Sequence, residues 1–600
     1  MKHNEVKNRN EISDEFKWNI EAMYPDESDV YKDLDSASAY AQEFAGLKGT
    51  IMNSSSSLLH SLNIYTNANR SMEKAFIYAH MKKDEDNANA KYQQMYSKAV
   101  SVISTASAMM SFLVPELLES DESDLDKFLA EEAGLEVYDF MLREIFLQKK
   151  HTLTSDQEFI LASLGEVLGG ADDIFSALND VDMTFGTVVN DNGDTVPVTH
   201  GSYSLLMESE NRQVREETFT RLYEKYKEHN NTLAAAYNNN VKTTFIKAGL
   251  RNYNSCLDAA LSGNRIPEAV YTNLIDAVHK HLPAMHKYVE IRKRALGVDD
   301  LKMFDVYRPL VKPADVKYTF EEAVDICCSA LAPMGEEYVN VFRKGVLEEK
   351  WVDIYENKGK TSGAYSFGSY DSYPYILMNF AGELRDVFTL IHEGGHSMHS
   401  YYTRKNQPYI YGDHCIFTAE VASTVNETLL IKYLLDNCKD NEMKAYLINF
   451  YIDEFKGTLF RQTMFAEFEL MAHNHVEEGN ALTAEYLNGI YDKLNSDYFG
   501  DAMSHDQMIQ YEWSRIPHFY RDFYVYQYAT GFSAANAIAD RILTIGEKAK
   551  DEYIAFLCSG SSDYPIELLK IAGVDMSTEE PVLRALETFD KLVEQLDGLI

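Results

Sequence analysis

Residues 390–400 read LIHEGGHSMHS, and the chemistry they offer is metal binding. Four residues apart on a helix, His392 and His396 differ by about 40° and one turn, so both imidazoles share a face. Two ring nitrogens at about 2.0–2.1 Å from one Zn²⁺ are then geometrically available. Glu393, one residue along, reaches water on the open side of such an ion without ligating. It would take that water's proton, while the ion lowers the water's pKa toward about 7.

Such a site needs a third protein ligand. A continuation as HExxHxxGxxH would place a histidine where Tyr402 stands, so a carboxylate from a following helix is the alternative. Ile416–Leu430, IFTAEVASTVNETLL, supplies Glu420 and Glu427 on one face. Glu420 precedes Val421, Ala422 and Ser423, small enough for two helices to approach, and is read as the ligand. Glu427 is read as the acceptor that orients a ligand histidine. His399 shares the face of His392 and is read as a packing group or a support behind the ligands, and His414 as a rival ligand in a less favoured scheme. Two further histidine groups, HKHLPAMH at 279–286 and HNH at 473–475, place no acid beside paired ligands and read as surface or helix-end groups.

The adjacent glycines between the ligands each cost a helix about 1 kcal/mol relative to alanine. Gly395 is expected to admit a neighbouring backbone. Gly394 has no such reason, and Gly394→Ala is expected to be tolerated.

The elements that must position these residues follow from periodicity. From Ser28 to about Asp180, apolar residues recur at helical spacing, and helices resume from about Asn211. Met183–Leu206 reads as a hairpin with Asn192-Gly193 at its turn, and Leu296–Leu310 as a loop. Tyr375–Phe380, YILMNF, reads as a short strand, followed by a helix from Gly382 to about Arg404 with Asp386 in its first turns, where an acid suits the helix dipole. An exposed edge on that strand would hold an extended peptide through main-chain bonds, with Tyr375, Met378 and Asn379 as its substrate-facing residues.

At 600 residues, more than one lobe is expected. An apolar share of 45% is ample for a core, and a formal charge of −38 argues against nucleic-acid binding. Six scattered cysteines without a CxxC pair suit free thiols in a reducing compartment. No signal-peptide core and no run of about 18 apolar residues is apparent, so a cytoplasmic protein with no membrane partner is expected.

Several stretches together resemble the thimet-oligopeptidase-like zinc metallopeptidases, in particular their oligoendopeptidase F group. They are HEGGHSMHSYY at 392–402, FTAEVASTVNE at 417–427, SGAYSFGSYDSYPYILMNF at 362–380, RIPHFYRDFYVYQYATG at 515–531, MFDVYRPL at 303–310 and FKWNIEAMYP near the start. The resemblance implies a mainly α protein, a two-lobed helical ellipsoid around a deep central channel, with a small β-sheet beside the zinc-binding helix. It divides the chain into residues 1–200, an N-terminal helical lobe, and 201–600, the catalytic region. It puts one Zn²⁺ per chain on His392, His396 and Glu420, makes Glu393 the general base, and gives a transition-state role to a histidine and tyrosines for which His518, Tyr528 and Tyr524 fit best. Tyr526 is the alternative if the register is shifted. A Gly at 394, where the family carries a bulky apolar residue, is a departure that touches no ligand.

The function expected is zinc-dependent cleavage of internal bonds in short, unstructured peptides by a monomer or homodimer. A non-catalytic peptide binder and an iron site on the same two histidines and carboxylate are the rivals.

Overall fold

The computed structural model describes residues 6–311 and 316–600. Residues 1–5, the start of the segment read as lacking a signal-peptide core, lie outside it. The fold is mainly α, with one two-stranded and one three-stranded sheet among the described residues. The chain forms two compact units, each built from three stretches: Met1–Lys150, Asp315–Tyr433 and Ile538–Val574 in the first, His151–Ala314, Leu434–Ala537 and Asp575–Ile600 in the second. Residue 200 falls inside the second unit.

In the first unit, helices Ser28–Ala45, Ser55–Glu85 and Ala90–Met110 pack on one another. Their buried positions follow the helical period: Val30, Leu34, Ala37, Ala41 and Phe44 line the inner face of the first. The stretch Ala90–Leu118 has the length and mean hydropathy of a membrane span, by length and composition alone. Its Ala, Val, Leu and Met raise the average, while Ser, Thr, Lys and Gln interrupt it so that no unbroken apolar run exists.

The three-stranded sheet of this unit carries a correction. Tyr375–Leu377 is its central strand, parallel to Val352–Asp353 and antiparallel to Tyr365–Phe367. Tyr375 and Met378 are buried, the Met378 N–H donates to the Asp353 carbonyl, and the Asn379 amide donates to the carbonyls of Thr361 and Gly363. These three residues therefore offer no free edge to a peptide. The edge strands are Val352–Asp353 and Tyr365–Phe367.

Asp353 and Lys360 lock the sheet from beneath. Both are almost fully buried, at 1% and 0% side-chain exposure, and stand 2.7 Å apart. Lys360 Nζ also donates to the carbonyls of Tyr355 and Met378, at 2.8 and 2.6 Å, and Arg9 closes on Asp353 at 2.5 Å. A buried ion pair survives because each remaining donor and acceptor is satisfied. The N-terminal segment is thereby tied to the sheet.

In the second unit, the hairpin pairs Thr187–Val189 with Thr195–Pro197. Its turn is built by the Asn190 side chain, which accepts the N–H groups of Asn192 and Asp194, and by Gly193 at φ 83°. Long helices Arg212–Glu228, Asn230–Leu250, Glu268–Leu296, Arg461–Glu477 and Ala484–Phe499 enclose a core of fully buried tyrosines, among them Tyr223, Tyr237, Tyr271 and Tyr491. The loop after residue 296 is pinned where Arg215 meets Asp305 at 2.7 Å, both buried.

Candidate active site

The helix carrying HEGGH runs Leu384–Asn406. Its start is fixed by Asp386, whose carboxylate accepts the N–H groups of Glu383 and Ala381 at 2.8 and 3.0 Å. Basic residues Arg404 and Lys405 fall in its last turn, as the helix dipole favours. The next long helix, Ile416–Asn437, crosses it closely. A Cβ built on Gly395 would lie 2.6 Å from the Ala422 carbonyl oxygen and the Ser423 Cα, so only glycine permits this approach.

Gly394 corrects the expectation drawn from sequence. A Cβ there would lie 2.5 Å from the Phe342 ring, itself fully buried. The position is therefore filled by a neighbouring aromatic, and alanine would force that ring to move.

The close helix pair brings three donors together. His392, His396 and Glu420 each offer a ligand atom within 4.8 Å of the others. Glu420 Oε2 stands 3.5 Å from His392 Nε2 and 3.4 Å from His396 Nε2. Donors placed tetrahedrally at about 2.0–2.1 Å from an ion are separated by about 3.3–3.4 Å, so the spacing fits a divalent metal. The other ring nitrogen of His392 lies 3.1 Å from Glu427 Oε1, which leaves Nε2 facing the group. Ser423 Oγ donates to Glu420 Oε2 at 3.0 Å.

The three groups and Glu393 are electrostatically coupled. Burial works against a charge on His392, but the Glu427 hydrogen bond and the surrounding carboxylates push its pKa up to about 9. For Glu420, burial is outweighed by the two histidines and Ser423, which bring it down to about 2. Glu393 is 7% exposed, and burial raises its pKa against the pull of His392 and His396. The Ser366 N–H, facing outward from the edge strand, bonds to Glu393, and Ser366 Oγ meets Ser397 Oγ at 2.8 Å.

These residues open on a cavity of about 830 Å³ lined also by Glu73, Ser366, Arg404 and His414. His399 is buried, stacked on His414 at 4.1 Å between centroids and against Phe556, and so packs behind the site. Burial brings the His414 pKa down to about 4. Glu73 accepts the Tyr370 N–H from 297 residues away, and Arg404 Nη2 donates to the Gly368 carbonyl at 2.7 Å. No sequence spacing announces such residues; only the fold carries them to the cavity wall.

The second unit holds the other expected residues. His518, Tyr524 and Tyr528 form one aromatic cluster, with His518 stacked on Tyr524 at 6.0 Å and both rings edge-on to Tyr528. Tyr528 Oη lies 3.4 Å from His518 Nε2. Burial, then the Arg521 charge, lower the His518 pKa, which favours neutral imidazole. Tyr526 points inward instead, 2% exposed and against Tyr271. Of the other histidine groups, His279 pairs with Glu467 and His281 with Asp590, whereas His473 is fully buried beside Asp522 and is no surface group.

The profile of peptidase family M3 matches residues 205–588, and that of oligopeptidase F matches residues 116–185. Oligopeptidase PepF of Bacillus subtilis is 43% identical over 599 residues, covering 100% of this chain and 89% of its own. Group B oligopeptidase PepB of Streptococcus agalactiae is 42% identical over 593 residues, covering 99% and 98%. The crystal structure of oligoendopeptidase F from Enterococcus faecium superposes with a TM-score of 0.74 at 38% identity, covering 96% of this chain and 98% of that one. A Chlamydophila abortus structure gives 0.93 at 39% identity, covering 99% and 100%. A family profile across most of the chain and relatives matching end to end place it in one family: the chain belongs to peptidase family M3 and is a metallo-endopeptidase of that family.

Proposed function

We propose that this metallo-endopeptidase uses one zinc ion, held by His392, His396 and Glu420, to cleave internal bonds of short, unstructured peptides. The observation that carries the reading is the two-nitrogen, one-oxygen donor set, its oxygen 3.5 and 3.4 Å from the two nitrogens, with Glu393 one residue from His392 and open to the same cavity. Zinc bound there would polarise the scissile carbonyl and acidify water.

The chain's own residues supply the proton transfers and the alignment. Glu393 takes a proton from the attacking water and returns it to the leaving amine, and its burial keeps it basic enough for the first step. Glu427 orients His392. His518 and Tyr528 act as donors to the oxyanion, with Tyr524 holding the histidine by stacking; their mutual contact within the second unit supports the pairing. The edge strand Tyr365–Phe367, which lines the cavity, receives the substrate main chain in place of the central strand. The short-peptide preference follows the names of the bacterial oligopeptidases that the chain resembles. A cytoplasmic setting, a monomer or homodimer, and a catalytic region over residues 201–600 complete the proposal; six free cysteines suit the setting.

Metal analysis of the purified protein tests it. One zinc per chain, with cleavage of a quenched peptide lost to chelator and restored by zinc, is expected. Iron as the active metal, or peptide binding without turnover, overturns it.

A further inference from the structure

The segment that carries His518, Tyr524 and Tyr528 is irregular: a short 3-10 turn, Pro517–Tyr520, then a reversal before the helix Tyr526–Ile545. The reversal turns on Phe523, at φ 55°. A phenylalanine enters the left-handed region only where tertiary contacts hold it. The contact here is explicit, because the Phe523 N–H donates to Glu469 Oε1 at 2.6 Å from the middle of the helix Arg461–Glu477. Glu469 is 0% exposed, and its second oxygen, Oε2, is buried with no hydrogen-bond partner. The Phe523 ring is seated between His473 and Tyr271.

The residue before it is held as firmly. The Asp522 carboxylate accepts from Asn240 at 2.8 Å and from the Thr244 hydroxyl, and stands 3.4 Å from His473 Nε2. Asn240 also donates to the Phe519 carbonyl at 3.4 Å. Backbone bonds from Arg521 to His518 and from Tyr524 to Arg521 carry the constraint toward the aromatic cluster.

We propose that Glu469 is a positioning residue for peptide hydrolysis: through the Phe523 N–H it fixes the left-handed turn that keeps His518 and Tyr528 in mutual contact. The inference rests on the reading of that pair as oxyanion donors. Glu469 does this work as an uncharged acid. An ionised carboxylate would bury Oε2 bare, beside the Asp522 charge; burial first, and that charge second, hold its proton on well above the usual carboxylate range. A single acceptor oxygen is all the turn needs.

Glu469→Gln keeps the acceptor and the shape, and is expected to retain wild-type kcat. Glu469→Ala removes the acceptor and is expected to lower kcat by about 10²-fold, the cost of a small misplacement of catalytic groups, with KM and zinc content unchanged. Glu469→Leu fills the volume without the acceptor and serves where the alanine variant does not fold. In a Tyr528→Phe background the alanine substitution should add little further loss, since it acts through the same pair. Wild-type kcat in folded Glu469→Ala or Glu469→Leu, or a glutamine variant as poor as alanine, overturns the positioning role. Full activity in both Tyr528→Phe and His518→Ala overturns the reading of the pair itself, and this inference with it.

Discussion

The two regions proposed to carry the chemistry are built in opposite ways. The proposed metal ligands sit on two regular helices, Leu384–Asn406 and Ile416–Asn437, and the helical repeat alone sets His392 against His396. The histidine and tyrosines of the second unit sit on a 3-10 turn, a left-handed reversal and the first turn of the helix Tyr526–Ile545, and the segment is held by Glu469 and Asn240, far away in sequence, through the Phe523 N–H and the Asp522 carboxylate. The acids differ in the same sense. Glu420 and Asp353 are kept ionised by cationic or polar partners, whereas Glu469 has a bare oxygen and stays neutral. Regular secondary structure can position a site with little help; irregular backbone needs a dedicated buried partner.

The strongest way to break this contrast is at Glu393. Glu393→Gln should keep zinc and lose about 10²–10⁴-fold in kcat, the range of a general base, read from quenched-peptide kinetics with metal analysis alongside. Near-wild-type turnover would remove the catalytic role from the regular region.

Tyr528→Phe should cost about 10²–10³-fold in kcat with little change in KM, as expected of one lost donor to an oxyanion. A change confined to KM would make the cluster a substrate-binding wall rather than a transition-state device.

Within the helix pair, Glu427→Ala should weaken zinc binding by about 10–100-fold, measured by competition with a chelator, because His392 loses the partner that fixes its ring.

The two glycines sharpen the comparison further. Gly394→Ala should lower stability by about 1–3 kcal/mol in denaturant titration, because its methyl group would meet the Phe342 ring. Gly395→Ala meets backbone instead of a ring that can turn, and should lose more stability and also zinc affinity. Equal tolerance of both would show that the helices part readily.

The narrowest change sought is in the pH dependence of stability, and it concerns Asp353. Arg9 and Lys360 hold its carboxyl below the ordinary range, although burial opposes them. A depressed folded-state pKa contributes stability that is complete above the unfolded value of about 3.9 and is lost as pH falls through the folded value. Asp353→Asn should therefore flatten the acid branch of the stability curve below about pH 4. An unchanged acid branch would mean that the pair adds nothing to the unfolding equilibrium.

Much of this was legible in the residues themselves. The 3.6-residue period gives the helices and the shared face of His392 and His396, because a local repeat fixes both. The small residues after Glu420 and the glycine at 395 forecast a close helix crossing, and the Asn190–Asp194 turn follows from side-chain hydrogen bonding within five residues. What failed concerned neighbours: Tyr375–Leu377 reads as a strand, but its place between two others depends on segments on either side of it. Gly394 looked dispensable because Phe342, on another helix, is invisible to spacing. His473 looked exposed because polarity alone does not show burial against Asp522 and Phe523.

By itself the sequence determined the helical class, the paired histidines with their adjacent acid, and the carboxylates that complete the group, since each rests on periodicity within one or two elements. Only the tertiary structure decided which strands form the edges of the sheet, why both glycines are needed, and how Glu469 holds the turn at Phe523. Those features join residues far apart in the chain, and their energies come from burial and from unpaired polar atoms, which exist only once the chain has folded.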